Sequence, residues 1–480
     1  MKRVTLFSLI VATLISIVLI ASLLIYSLAP DEPKAGQKPF FVGVTYGGNT
    51  IAEAKLLIDR VKNYTNLFIL QSGNLQDEPG KMVEICDYAV TSGLHVVGYF
   101  GALDYNKGHV QFFVDTARER WGSHFLGLCY GDEPGGKMLD SNLVLLRNNG
   151  FDENITRQPD SVMVRKLDGT RISYATRNGK SSIELTYSNN THAVYIENKQ
   201  NHTITIIAGE STTYSFNPNG TITKNSKGNT TLLENANEEI QLKDYEELLA
   251  ARPFQTYDET ADRLVDHCQS TTEWLQNQSV PLFTADYGLY WFDYLGGYDV
   301  VLAEFGWNNT IAQEIGLVRG AATMQNKTWG AIITWKYTTE PYLASGDEIY
   351  QQMKTAYEAG AEYAVIFNYP AIEGNPYGIM LEEHFQALER FWNEVVQNPD
   401  IENGKVEAEA ALVLPKNYGW GMRNSNDTIW GMWRPDEKSQ QVWNALQNAL
   451  VTYGAKLDIV YDDPAYPLAG KYPQILYWNR

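Results

Sequence analysis

Cysteine is scarce in this chain, with Cys86, Cys129 and Cys268 its only three in 480 residues. An odd, widely spaced set is no disulfide framework, so a packed core has to supply stability and the thiols are expected to be buried within it. Positive charge is scarce too. Lys and Arg total 38 against 57 Asp and Glu, a net charge of −19. No basic cluster follows Lys2 and Arg3, which argues against a nucleic-acid partner because phosphate binding needs grouped cations. The seven histidines show no H-x-H or H-E-x-x-H spacing, so no zinc site is expected. G-x-S-x-G, G-x-G-x-x-G and the Walker lysine motif are also missing, which leaves serine-elbow hydrolysis and nucleotide binding unsupported and no cofactor implied.

What is present is an ordinary globular mixture, 44% apolar and 20% charged, long enough for one large core with smaller units attached. Val4 to Leu28 is an uncharged run behind Lys2 and Arg3. At about 1.5 Å per residue it is long enough to span a bilayer, and the basic flank predicts an inside amino terminus with the rest of the chain outside. Residues 1–29 therefore read as a transmembrane signal-anchor, with a cleaved or lipid-attached leader as the alternative, and 30–39 as a polar tether. Ten Asn-X-Ser/Thr sites, from Asn63 to Asn426, suit an extracellular glycoprotein.

Beyond the tether, short apolar runs alternate with amphipathic segments. Phe40 to Tyr46, Leu67 to Leu70, Leu94 to Phe100 and Phe125 to Tyr130 read as strands, each but the last followed by a helical pattern. From about 160 to 232 the rhythm changes to period-two runs broken by Asp-Gly and Asn-Gly turns, which predicts a small inserted antiparallel β unit. Four more strands follow, at Pro281–Ala285, Asp299–Glu304, Trp329–Trp335 and Ala364–Asn368. Eight strand–helix units predict an α/β fold, a (β/α)8 barrel over 40–400. Residues 405–480 predict a flavodoxin-like βαβ unit, whose Asn417–Trp433 stretch is long enough to reach back over the barrel mouth.

Barrel chemistry sits where strands end. FLGLCYGDEPGG, Phe125 to Gly136, is a buried strand running into two acids, a proline and two glycines. Glycosidic hydrolysis needs two facing carboxyl groups, one to donate a proton and one to attack or to activate water. Glu133 is the first candidate, although Asp132–Pro134 also reads as a plain helix start. The second is either Glu304, at the end of VVLAEFGWNN, or Glu340, five residues past Trp335. Asp132, Tyr46, Gln71, Tyr99, Asp104, Asp286, Tyr287, Trp307, Trp335, Lys336, Tyr337, Asn368 and Tyr369 would line a polar, aromatic cleft between them.

The Asp-Glu-Pro end of strand four and the later Glu-Phe-Gly-Trp end resemble the large retaining (β/α)8 clan of glycoside hydrolases, with a beta-galactosidase-like layout. That resemblance implies Glu133 as general acid/base, Glu340 as nucleophile and a carbohydrate substrate. Asp132 replaces the clan's usual Asn, and Glu340 is not flush with its strand, which keeps Glu304 open as the partner. The other reading is a catalytically inactive surface protein that binds glycans or builds an envelope.

Overall fold

The computed structural model describes residues 39–101, 107–140, the strands between Asp152 and Leu233, and 256–479 apart from positions 308 and 432. The expected membrane span, the tether and Asp104 lie outside the described residues. No helix among the described residues is long and apolar enough to cross a membrane.

Eight strands form a closed, all-parallel barrel. In chain order they are β1 (Phe41–Thr45), β2 (Leu67–Leu70), β3 (His95–Phe100), β4 (Phe125–Tyr130), β14 (Leu282–Asp286), β15 (Val300–Phe305), β16 (Thr328–Ile333) and β17 (Tyr363–Ile366). Between β4 and β14 the chain makes a nine-stranded antiparallel meander, β5 (Asp152–Gln158) to β13 (Asn229–Leu233). It starts earlier than the expected 160. Its first strand, DENITRQ, carries one aliphatic residue and so lacks an apolar alternation, and it is paired by its hairpin with Ser161–Lys166. Although about 150 positions apart, β4 and β14 are neighbours, with Leu128 beside Leu282 and Cys129 beside Phe283.

The barrel helices are α1 (Ile51–Val61), α2 (Pro79–Thr91), α3 (Lys107–Arg120), α4 (Pro134–Asp140), α5 (Tyr257–Gln276), α6 (Tyr290–Leu295), α7 (Ile311–Gln325), α8 (Gly346–Glu358) and α9 (Glu382–Phe391). Several start at hydroxyl caps that satisfy an orphan N–H: Thr50 accepts from Glu53, Thr256 from Glu259 and Ser345 from Glu348. The barrel is filled rather than hollow. Phe41, Leu67, Ile69, Val97, Cys129, Phe283, Ala285, Val300, Leu302, Ile332, Tyr363 and Val365 pack into one interior cluster. Such strands are buried on both faces, which is why they read as continuous apolar runs. All three cysteines are free and buried.

The C-terminal segment forms a three-stranded parallel sheet, β18 (Ala410–Leu414), β19 (Leu457–Tyr461) and β20 (Gln474–Tyr477), in the order β19-β18-β20 with α10 (Glu437–Tyr453) as crossover. It is joined to the barrel by a buried ion pair, Arg319 Nε on α7 to Asp458 on β19 at 2.7 Å. The guanidinium also donates to the carbonyls of Val406 and Ala455, so its buried charge is well satisfied.

Candidate active site

At the end of β4 the chain turns on Gly131, whose φ of +76° a side chain would resist. The Gly131 N–H donates to the Phe100 carbonyl at 2.9 Å, and its carbonyl accepts the Thr284 hydroxyl at 3.0 Å. Glu133 then takes φ +53°, a left-handed conformation that costs a non-glycine residue about 1–3 kcal/mol. Its N–H is tied to the Ala285 carbonyl at 3.0 Å. Gly135 and Gly136 press against the end of β14 so closely that an added Cβ would meet the Gly288 carbonyl or the Tyr287 ring at 2.4 Å. The sequence DEPGG therefore encodes one fixed, strained presentation of the Glu133 side chain.

That side chain faces a cavity of about 590 Å³ at the carboxyl-terminal mouth of the barrel. Its lining includes Gln71, Tyr99, Asp132, Glu133, Asp140, Tyr287, Glu304, Trp307, Trp335, Phe367 and Arg423. Glu133 and Glu304 both line this cavity, and each acts on the other's charge. Burial, then the nearby Glu133 charge, pushes Glu304 well above the usual carboxylate range. Burial and the Asp132 charge also raise Glu133, while Lys137 pulls it back down. The Lys137 ammonium lies 2.9 Å from Asp132 and 3.4 Å from Glu133. The pair thus holds one proton, which rests on Glu304, the more buried and more raised member. Burial and the Asp132 carboxylate keep the Tyr99 phenol protonated.

Aromatic rings form the opposite side. Trp307 and Trp335 meet edge to face at 5.5 Å, and Tyr369 tilts against Trp335 at 5.2 Å. Trp307 is 44% exposed despite its size, leaving an apolar face open to a ligand.

Strand parity decides which of the candidate residues meet. On β15, Val300 and Leu302 point into the barrel, so Glu304 points into its mouth. The same alternation brings in Gln71 after Leu67 and Ile69 on β2, and Tyr99 after Val97 on β3. Residues one position off go outward. Asp286 follows the inward Ala285, is fully buried and lies outside the cavity lining. Tyr46 binds Thr50 and lies near Glu53, and Asn368 accepts from the Ile379 N–H at 3.0 Å. With Tyr369 these two line a separate hollow of only about 20 Å³. Lys336 is paired with Glu348 at 2.6 Å, and Tyr337 is 44% exposed; neither lines the cavity. Glu340 is exposed in the loop after β16, also outside the lining.

Asp140, Asn309, Phe367 and Arg423 line the cavity without having been singled out in the sequence. Arg423 comes from the Asn417–Trp433 stretch and crosses to the barrel. Its guanidinium grips both oxygens of Asp427 at 2.8 Å and also donates to Asp140, whose other oxygen accepts the Tyr287 hydroxyl at 2.7 Å. Among the described residues no cluster of His, Cys, Asp and Glu could hold a metal ion.

Fold and cavity together define a (β/α)8-barrel protein with a paired-carboxyl mouth. No protein-family model matches the chain, and no curated protein matches it.

Proposed function

We propose that this chain is a glycoside hydrolase that cleaves O-glycosidic bonds with Glu133 and Glu304 as its two carboxyl groups. One observation supports the reading: two mutually interacting carboxyls, Glu133 and Glu304, line one cavity at the barrel mouth together with Trp307 and Trp335. Glu133 is the general acid/base: it takes the pair's proton from Glu304 and gives it to the leaving oxygen, while the Glu304 carboxylate so freed attacks the anomeric carbon. Water then breaks the glycosyl–carboxylate bond and returns its proton to Glu133. This is the retaining course, which needs carboxyls about 5–5.5 Å apart; a spacing of about 6.5–9.5 Å would give the inverting one. Trp307 and Trp335 offer faces on which a sugar ring stacks. The catalytic body would work outside the cell, tethered by Val4–Leu28 and glycosylated at its sequons.

The resting proton on Glu304 favours a second assignment, with Glu304 as acid and Glu133 as nucleophile. Leaving-group dependence separates the two. In the acid variant, Glu→Gln spares aryl glycosides with good leaving groups; in the nucleophile variant it spares none.

The test is turnover of an aryl-glycoside and polysaccharide panel by the soluble chain and by Glu133→Gln, with circular dichroism to confirm folding. Glu133→Gln should lower polysaccharide turnover by about 10²–10⁴-fold. Undiminished turnover of the polysaccharides, whose leaving oxygens need a proton, removes Glu133 from the chemistry. Glycan binding without product in the parent chain would instead support the inactive glycan-binding alternative.

A further inference from the structure

Behind the rim, on the outward side of β14, two carboxyls lie together that the proposed chemistry does not use. Asp286 is 0% exposed and Asp293, on α6, is 1% exposed. Asp286 accepts four backbone N–H groups: Gly135, Gly136 and Tyr287 at 2.7 Å and Gly288 at 3.2 Å. Three of these reach Oδ1 and one reaches Oδ2, which leaves an acceptor site on Oδ2. Neither Asp293 oxygen has a donor of its own. The Gly135 N–H lies near it but is already given to Asp286. Asp293 instead meets the charge of Asp286.

Two adjoining buried charges would repel each other, and a buried carboxylate without donors is not stable. Among the described residues, the titratable groups whose charges act most strongly on or with the pair are not cations. They are Glu133 and Glu304 on the cavity side, the Cys268 thiol, and the phenols of Tyr287, Tyr290, Tyr294 and Tyr298. The four N–H donors mark Asp286 as the ionised member, and Asp293 is left as the neutral one.

We propose that Asp286 and Asp293 are a one-proton pair that positions Glu133. Asp293 keeps the proton and donates it to Oδ2 of Asp286. Asp286 thereby stays a carboxylate and grips the Gly135 and Gly136 N–H groups that fix the strained turn carrying Glu133. The functional side of this inference rests on the glycosidase reading; the structural side stands without it.

Three variants of the full chain test the pair. Asp286→Asn offers a single acceptor oxygen to four donors. It should release Gly135 and Gly136 to hydrogen exchange and lower kcat about 10²-fold with KM little changed, the penalty of a displaced reacting group. Because a negative charge beside Glu133 is lost, the acidic limb of the pH profile should also move to lower pH, which a purely structural role would not produce. Asp293→Leu removes the donor and should release the same two amides. Asp293→Asn keeps a neutral donor of the same shape and should rescue Asp293→Leu, restoring both amide protection and turnover. It should also remove one buried carboxylic-acid band from the infrared spectrum at neutral pH. The inference is overturned if Asp293→Asn frees the amides as fully as Asp293→Leu, or leaves the acid band intact. It is equally overturned if Asp286→Asn leaves amide protection unchanged. Should the parent chain hydrolyse no glycoside, the glycosidase reading falls, and exchange and infrared still decide the pair.

Discussion

Glu304 and Asp286 end adjacent strands, both are buried acids, and they do opposite things. Glu304 continues the inward alternation of β15 and enters the cavity. Asp286 is one residue out of phase on β14 and faces the helix layer, where backbone N–H groups consume its oxygens. Asn368 repeats the second pattern on β17, and Gln71 and Tyr99 repeat the first. In a parallel barrel the identity of a strand-end residue says less than its phase. Inward positions offer side chains to a ligand; outward positions hold the loops that aim them.

That contrast can be broken experimentally. The largest effect is expected at Glu304, where replacement by Gln should cost about 10²–10⁴-fold in turnover with the fold preserved. Outward groups should act on stability instead. Burial pushes Glu314, on α7, up to about 7, while the Tyr290 hydroxyl at 2.6 Å and the Arg423 charge pull it down. The folded chain keeps this proton where the unfolded chain has released it. Stability from Glu314 is therefore full below its ordinary value of 4.5 and is lost as pH rises through about 7. The loss is on the order of 3 kcal/mol. Denaturant unfolding at pH 5 and pH 8 should show that decline, and Glu314→Gln should flatten it. Asn368→Ala strands the buried Ile379 N–H, with an expected cost of about 1–3 kcal/mol by the same measurement and kcat unchanged. The smallest effect belongs to Glu340→Gln, exposed and outside the lining, which should leave turnover within about twofold. A large loss there would restore the partner implied by the strand-seven resemblance and undo the contrast.

Much of the barrel was legible because strands buried on both faces must be apolar throughout, and Leu67–Leu70 and Phe125–Tyr130 begin and end where their runs do. The turn at Asp132–Gly136 announced itself through Pro and Gly. The composition of the cavity was less legible. Reading strand ends without their phase grouped Tyr46, Asp286 and Asn368 with Tyr99 and Glu304, although the period-two count from Val300 or Ala285 would have separated them. No local signal could have found Arg423, which meets Asp140 across 283 positions of sequence. Phe367 was findable, since it continues the inward Tyr363 and Val365.

Arg423 has a further consequence for how this protein can be taken apart. One guanidinium from the last eighty residues is a brick in the cavity wall laid down by the barrel, clamped there by acids from both segments. A barrel cut free at residue 400 would lose that brick and leave Asp140 facing solvent without its counter-charge. Barrel and tail are one functional object, to be expressed, grafted or redesigned together.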